Sequence, residues 1–194
     1  MKVFRDFTSP PLSGEAGESS GPAVDPAIDR FWKGCEAAGL SHRPVAGSWF
    51  EAGRYPLGDG AVSITADGRP AVRRPLADFA DTGTMRWALQ PNCFNHLVAD
   101  YGFLFQVLPT GPQETSVTAR WIVHRDAVEG VDYDLANLIH VWMETSVQDK
   151  WLVENNQLGV CSSGYRPGPY STVAEEKVLD FIDWYCAACE GALV

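Results

Sequence analysis

The chain has 194 residues, 45% of them hydrophobic and 11% aromatic, including 7 Trp; that is enough apolar material for one domain with a sizeable core and argues against wholesale disorder. Twenty-five acidic residues against 15 basic ones give a net charge of −10, which repels phosphate backbones and anionic bilayers, so neither nucleic acid nor a membrane is an expected partner. Five cysteines, at 35, 93, 161, 186 and 189, form an odd and sparse set, and no stretch has the apolar core of a signal peptide or the length of a membrane span. The expected compartment is the cytoplasm.

Residues 8–26 hold 11 Ser, Pro or Gly among 19 and are too poor in apolar groups to offset the entropy of ordering them, so they read as a linker. A short helix is expected next, with Asp25 as N-cap and Pro26 at its first position; Ile28, Phe31, Trp32 and Cys35 recur at helical spacing and Gly39 is placed to stop it. Residues 1–46 are thus linker and short helix, and the globular unit is expected over 47–194. From about 47 to 124 the pattern is that of strands: Trp49 with Phe50, Val62 to Thr65, Met85 to Leu89, Tyr101 to Leu108 and Thr115 to Val123. Asp67-Gly68 is expected to close a hairpin, and Pro109-Thr110-Gly111-Pro112 has the turn chemistry to join the two longer runs. An antiparallel meander follows.

The last seventy residues are helical in character. Asp132 or Asp134 can cap a periodic stretch running to about Asn156. At about 100° per residue, Leu135, Leu138, Trp142, Thr145, Asp149 and Leu152 fall within roughly 60° of Leu138. A second helix is expected from the capping box Thr172-Val173-Ala174-Glu175, with Val178, Phe181, Ile182 and Tyr185 on one face. Strands followed by helices predict an α+β fold.

Asp149 stands out, because an ionised carboxylate facing a core costs several kcal/mol unless something meets it. An ion pair with Arg86 or Arg120 from the sheet would do so, and so would a metal. The histidines at 42, 96, 124 and 140 make no close pair, so each reads as structural, although His96 and His124 fall near strand positions that can face a pocket. Cys186-Ala187-Ala188-Cys189 has zinc or redox spacing but occurs once, late on a helix, and reads as a pair of small hydrophobes. Neither GxGxxG nor GxxxxGK[ST] is present, which leaves nucleotide chemistry without footing. The segment from Cys161 to Tyr170 carries turn residues and two tyrosines, and is either the rim of a pocket or an ordinary interhelical loop.

Three stretches together resemble a known family. They are Trp121-Ile122-Val123-His124 through Ala127-Val128-Glu129-Gly130-Val131-Asp132-Tyr133; Gln148-Asp149-Lys150-Trp151-Leu152-Val153-Glu154-Asn155-Asn156-Gln157-Leu158-Gly159-Val160; and Ser162 with Tyr165-Arg166-Pro167-Gly168-Pro169-Tyr170. They resemble the catalytic domain of Rieske-type non-haem iron oxygenase large (alpha) subunits, in the ring-hydroxylating superfamily branch that acts on quaternary ammonium compounds such as glycine betaine, choline and carnitine. The resemblance covers about residues 47 to 186 and is fainter in its earlier part. It implies a helix-grip (SRPBCC-like) fold, an antiparallel sheet wrapped round long C-terminal helices. It also implies that Asp149, in its Gln-Asp-x4-Glu-x2-Gln setting, is the carboxylate of a two-histidine, one-carboxylate Fe(II) site.

The sequence departs from that family in three ways. It lacks the C-x-H followed by C-x2-H that marks a Rieske [2Fe–2S] domain, its single C-x2-H, Cys93-Phe94-Asn95-His96, having no C-x-H to pair with; it has no H-x4-H for the two iron-binding histidines; and the intervening acid is absent. The resemblance therefore implies the C-terminal portion of a catalytic domain, with one iron ligand of three and no turnover by this chain alone. Joined to a Rieske-bearing half or partner chain and served by an NAD(P)H-dependent flavin and iron–sulfur reductase, such an enzyme hydroxylates a methyl group of a small cationic substrate. Trp87, Phe94, Phe103 and Trp142 are candidates to hold that cation, with Tyr165 and Tyr170 at the rim. The competing readings are an iron-free helix-grip module that binds a small molecule and an inactive truncated fragment.

Overall fold

The computed structural model describes residues 26–40, 45–46, 50–58, 60–76, 83–171 and 174–192. Asp25, most of the expected linker, His42 and Trp49 lie outside them.

Helix α1 (Pro26–Ala37) starts at the expected proline and stops where glycine permits it. Gly39 adopts φ 70°, the Gly39 N–H donates to the Glu36 carbonyl at 3.0 Å and the Leu40 N–H to the Cys35 carbonyl at 3.0 Å. This paired arrangement satisfies the last carbonyls of the helix.

The strands are β1 (Val45–Ala46), β2 (Phe50–Tyr55), β3 (Thr84–Leu89), β4 (Cys93–Leu97), β5 (Gly102–Gly111) and β6 (Glu114–Ile122). They form one six-stranded sheet in the order β1-β2-β3-β4-β5-β6, each pair antiparallel, which is the expected meander. Gly83 enters β3 at φ 64°; a Cβ there would collide with the Tyr55 carbonyl and the Phe31 ring, so α1 and β2 close over a position open only to glycine. The β5–β6 connection is tighter than expected. Pro109 pairs with Thr115 and Gly111 with Glu114, with a register irregularity between Pro109 and Gly111, leaving Pro112 and Gln113 as the turn. The irregularity accommodates a proline that has no N–H for the ladder.

Residues 62–65 are a correction: they form no strand. The Val62 and Ser63 N–H groups both donate to the Gly68 carbonyl, at 2.8 and 3.2 Å, and the Gly68 N–H donates to the Thr65 carbonyl at 3.3 Å. Thr65 Oγ1 donates to the Arg69 carbonyl at 2.7 Å. With the N–H groups of Val62, Ser63 and Gly68 and the Thr65 hydroxyl all satisfied inside one loop, the segment has no need of a partner strand. Asp67-Gly68 is a turn within that loop rather than the tip of a hairpin.

Helix α2 (Leu135–Val160) is capped by Asp134, whose side chain accepts from the Asn137 N–H at 2.8 Å. Asp132 serves the preceding turn instead, accepting from the Val128 N–H at 2.9 Å and pairing with Arg74 at 3.3 Å. Helix α3 (Glu176–Ala192) follows a cap one residue earlier than expected: Ser171 Oγ accepts from the Ala174 N–H at 3.1 Å, while the Ser171 N–H donates to Glu175 at 2.7 Å. The order of strands and then helices is the expected α+β. Among the described residues, no helix is long and apolar enough to cross a membrane.

The core gathers Ala71, Val72, Val98, Tyr101, Phe103 and Leu138, so α2 joins it only through its N-terminal turns. Beyond them the apolar stripe runs into solvent: Val147, Leu152 and Val153 are exposed, with Trp151 at 68% and Leu158 at 73%. On α3, Phe181 stacks on Tyr185 of its own helix, with ring centroids 5.9 Å apart. Because these α2 side chains are already in water, replacing Val153 and Leu158 together by Glu is expected to change the urea stability by no more than about 0.5 kcal/mol. The same change should reduce self-association measured by sedimentation, since it breaks up an exposed apolar surface.

Candidate substrate site between the sheet and helix α2

Cross-strand partners share a face of a sheet, as do residues two apart along a strand. Arg86 faces His96, His96 faces Phe103, and Phe103 faces Trp121. In the adjacent row Ala88 faces Phe94, Phe94 faces Phe105, and Phe105 faces Ala119. One face thus carries Arg86, Phe94, His96, Phe103, Phe105 and Trp121.

Helix α2 lies on that face through Trp142. Its ring stacks on Phe103 at 4.1 Å and 6° and rests against His96 at 4.6 Å. Trp142 Nε1 donates to the Tyr101 hydroxyl at 2.8 Å, and that hydroxyl donates to the Ile64 carbonyl at 2.7 Å. Helix, sheet and the 62–68 loop are therefore tied by one hydrogen-bond relay. Burial pushes the Tyr101 phenol far above its usual range, with the Asp100 carboxylate adding to the effect and the Trp142 N–H opposing it. Asp100 is itself buried, and its Oδ2 accepts from the Ala71 and Val72 N–H groups at 2.7 and 3.1 Å, holding the segment that Leu138 packs against. Nothing in the periodicity of the sequence singles out Asp100 or Tyr101; a charged residue followed by an aromatic one at a strand entrance is the only local sign.

Burial, and next the Arg86 guanidinium, lower the His96 pKa to about 4; Thr84 Oγ1 lies 3.5 Å from its Nδ1. The fold thus holds this imidazole neutral, whereas an unfolded histidine titrates near 6.5. Between pH 6.5 and 4 the unfolded chain binds the extra proton and the folded chain does not, so stability present above pH 6.5 is lost as the pH falls, by up to about 3 kcal/mol. Urea midpoints at pH 7, 5.5 and 4.5 should show that decline, and a His96→Gln variant should lack the part of it due to this residue.

The structure brings Phe94, Phe103 and Trp142 to one face. Phe103 is buried at 2% exposure, while Phe94 keeps 46%, so Phe103 is the packed support and Phe94 the accessible ring. Trp87 faces Asn95 and Ala52 and stands on the opposite side of the sheet, apart from this group. Tyr165 and Tyr170 are exposed on the segment after α2, and among the described residues no ring contact joins them to it.

Asp149 is exposed, contrary to the expectation that it faces a core. It lies seven residues beyond Trp142 in the helix, about 10 Å further along, where the helix is exposed from Val147 onward. It pairs with neither Arg86 nor Arg120: Arg86 lies over the Tyr55 ring at 4.9 Å, and Arg120, opposite Leu104, is on the far face. Among the described residues no three His, Cys, Asp or Glu side chains gather where they could hold a metal, so the residues present do not by themselves make up an iron site. His124 Nδ1 accepts from the Asp126 N–H at 3.2 Å as part of its own turn, and His140 is exposed. Cys186 and Cys189 are free and exposed on α3.

Residues 44–191 match the family described as "Ring hydroxylating alpha subunit (catalytic domain)". The chain is 49% identical over 134 residues to a protein named glycine betaine monooxygenase oxygenase subunit from Chromohalobacter salexigens, covering 68% of this chain and 30% of that one. It is 47% identical over 134 residues to a protein of the same name from Pseudomonas aeruginosa, covering 68% of this chain and 31% of that one. The chain thus spans about a third of the length of these relatives. Since the meander, the capped helix α2 and the aromatic face between them all fall within the matched residues, this chain belongs to the family of ring-hydroxylating oxygenase alpha-subunit catalytic domains.

Proposed function

We propose that this chain is the C-terminal catalytic portion of a Rieske non-haem iron oxygenase that hydroxylates, and so demethylates, a quaternary ammonium compound such as glycine betaine. It acts in this reading only when joined to a segment or chain carrying the [2Fe–2S] cluster and the two iron-binding histidines. The observation that carries the reading is the aromatic face itself: Phe94 exposed, opposite Phe105, on the sheet face where Trp142 stacks on Phe103. A ring of this kind holds a quaternary ammonium by about 0.5–2 kcal/mol, more as water is excluded. The names of the similar proteins support the same substrate class.

The iron supplies the oxidising chemistry when bound, and Asp149 is the residue of this chain that would hold it. One carboxylate leaves Fe(II) exchangeable, so the isolated chain is expected to turn nothing over. An NAD(P)H-dependent flavin and iron–sulfur reductase is the expected electron donor to the assembled protein. The test is to add the cluster- and histidine-bearing portion of a relative to this chain and to follow formaldehyde release from glycine betaine with a reductase present. Release only with both parts present supports the reading; an iron-loaded, folded assembly that releases none sinks it. The second reading, a binding module without iron, draws on the absence of a three-residue metal cluster among the described residues. Both readings allow the chain to bind ligand, and only the first gains turnover when the missing part is supplied.

A further inference from the structure

We propose that Cys186 and Cys189 form a two-thiolate site on α3 for a soft monovalent metal cation, Cu(I). The site is separate from the aromatic face built by the sheet and α2, and it does not depend on the substrate reading above.

The Cys-x2-Cys spacing reads as a pair of small hydrophobes, but the structure puts both side chains in water. Cys186 and Cys189 are free and exposed on α3, so both sulfurs are open to an incoming ion. At i and i+3 they are neighbours on the helix surface, with Cβ atoms about 5–6 Å apart. A disulfide needs about 3.5–4.5 Å between those atoms, so the helix holds the pair too far apart to close on itself. A bridging ion suits it better. Two metal–sulfur bonds of about 2.3 Å each span sulfurs up to about 4.6 Å apart, a separation that the χ1 rotamers open to helical residues can supply.

The number and softness of the donors select the ion. Among the described residues no third His, Cys, Asp or Glu joins the pair in a group able to hold a metal. Zinc takes four ligands in a structural site and is left incomplete here, and magnesium and calcium require oxygen donors. Thiolate is a soft donor that favours Cu(I), a filled-shell ion that two sulfurs in line can satisfy. The surroundings favour positive charge. Cys189 lies in the last turn of α3, which holds no basic residue, so a cation there meets the negative end of the helix dipole. Asp183 and Glu190 are exposed one turn to either side of Cys186. Hydrogen bonding to Cys189, then the charge of that sulfur, raise the Tyr185 pKa, with Cys186 adding to the effect. The phenol thus donates to the Cys189 sulfur and supports the thiolate form that a metal requires. On binding, each sulfur exchanges its proton for a bond to copper; the protons go to solvent and no electron moves.

The test is an anaerobic titration of the full chain with Cu(I) against a chromophoric cuprous chelator, bathocuproine disulfonate, with Zn(II) as the counter-probe. One Cu(I) per chain is expected, with two sulfur neighbours by X-ray absorption. Cys186→Ser and Cys189→Ser should each weaken binding by at least about hundredfold, the upper end of what loss of a merely orienting group costs. Cys161→Ser should leave it within about twofold, since that thiol belongs to the cap of α2 and accepts from Gln157 Nε2 at 3.2 Å. Cu(I) left wholly with the chelator, binding that survives both α3 serine variants, one ion shared by two chains, or Zn(II) held as tightly as Cu(I) overturns the assignment. Circular dichroism checks that the serine variants keep α3. Should either fail to fold, the stoichiometry and the sulfur count in the unmodified chain decide the matter.

Discussion

Trp142→Ala is expected to remove about 3–5 kcal/mol of folding stability from this chain, a large share of the total for a domain of this size. Three losses combine. The Phe103 ring loses its stacking partner at 4.1 Å, His96 loses the ring at 4.6 Å, and the Tyr101 hydroxyl loses the donor at 2.8 Å that links it to the helix. The effect is concentrated because α2 meets the core through so few residues, chiefly Leu138 and Trp142. Trp142→Phe keeps an aromatic ring on Phe103 and loses the N–H, and should destabilise by about 1–2 kcal/mol. Urea unfolding followed by circular dichroism measures both. A Trp142→Ala protein within 1 kcal/mol of the parent would show that α2 is held by contacts other than this stack.

Asp149→Ala is expected to separate folding from function completely. The carboxylate is exposed, so its removal should change the stability of the chain by no more than about 0.5 kcal/mol. In the proposed assembly with a histidine-bearing portion of a relative, the same change should reduce bound iron by at least about tenfold, since even loss of a group that only orients a metal ligand has effects of that order, and bring demethylation to background. Iron analysis on the purified assembly is the decisive reading. Full retention of iron would take Asp149 out of the ligand set, and a large stability loss in the isolated chain would give it a structural role instead.

The parts of the fold legible in the sequence are those set by local chemistry. Pro26 and Gly39 bracket α1, Asp134 caps α2, and the alternating β-prone runs give the meander. The failures come where distant contacts decide. Val62 to Thr65 has the composition of a strand, yet the Gly68 carbonyl takes its donors and Tyr101, 37 residues from Ile64, anchors it. Asp149 has a place in the apolar stripe of α2, but periodicity gives only the direction of a side chain and cannot say whether another element covers it. Of the candidate site, Phe94, Phe103 and Trp142 converge because their strands happen to be in phase, and Trp87 is excluded by a single step of alternation, which register alone determines. The Trp142–Tyr101–Ile64 relay and the Asp100 clamp left no periodic trace, because each rests on single side chains meeting groups far away in sequence.

The sheet described above pairs each strand only with its neighbour in the chain, and this has a bearing on the order of events in folding. Closing a short hairpin loop takes microseconds or less, whereas contacts between remote residues wait on the entropy of larger loops. The β5–β6 ribbon, joined by a two-residue turn and running for nine or ten residues on each side, is the natural first structure, and β4 and β3 can add to its edge one at a time. Capture of α2 demands the slowest encounter, since Leu138 must meet Ala71 and Val72 across more than sixty residues of chain. A platform that assembles early and a helix that docks late make the seating of Leu138 and Trp142 the step that ends folding, with the exposed outer turns of α2 taking no part in it.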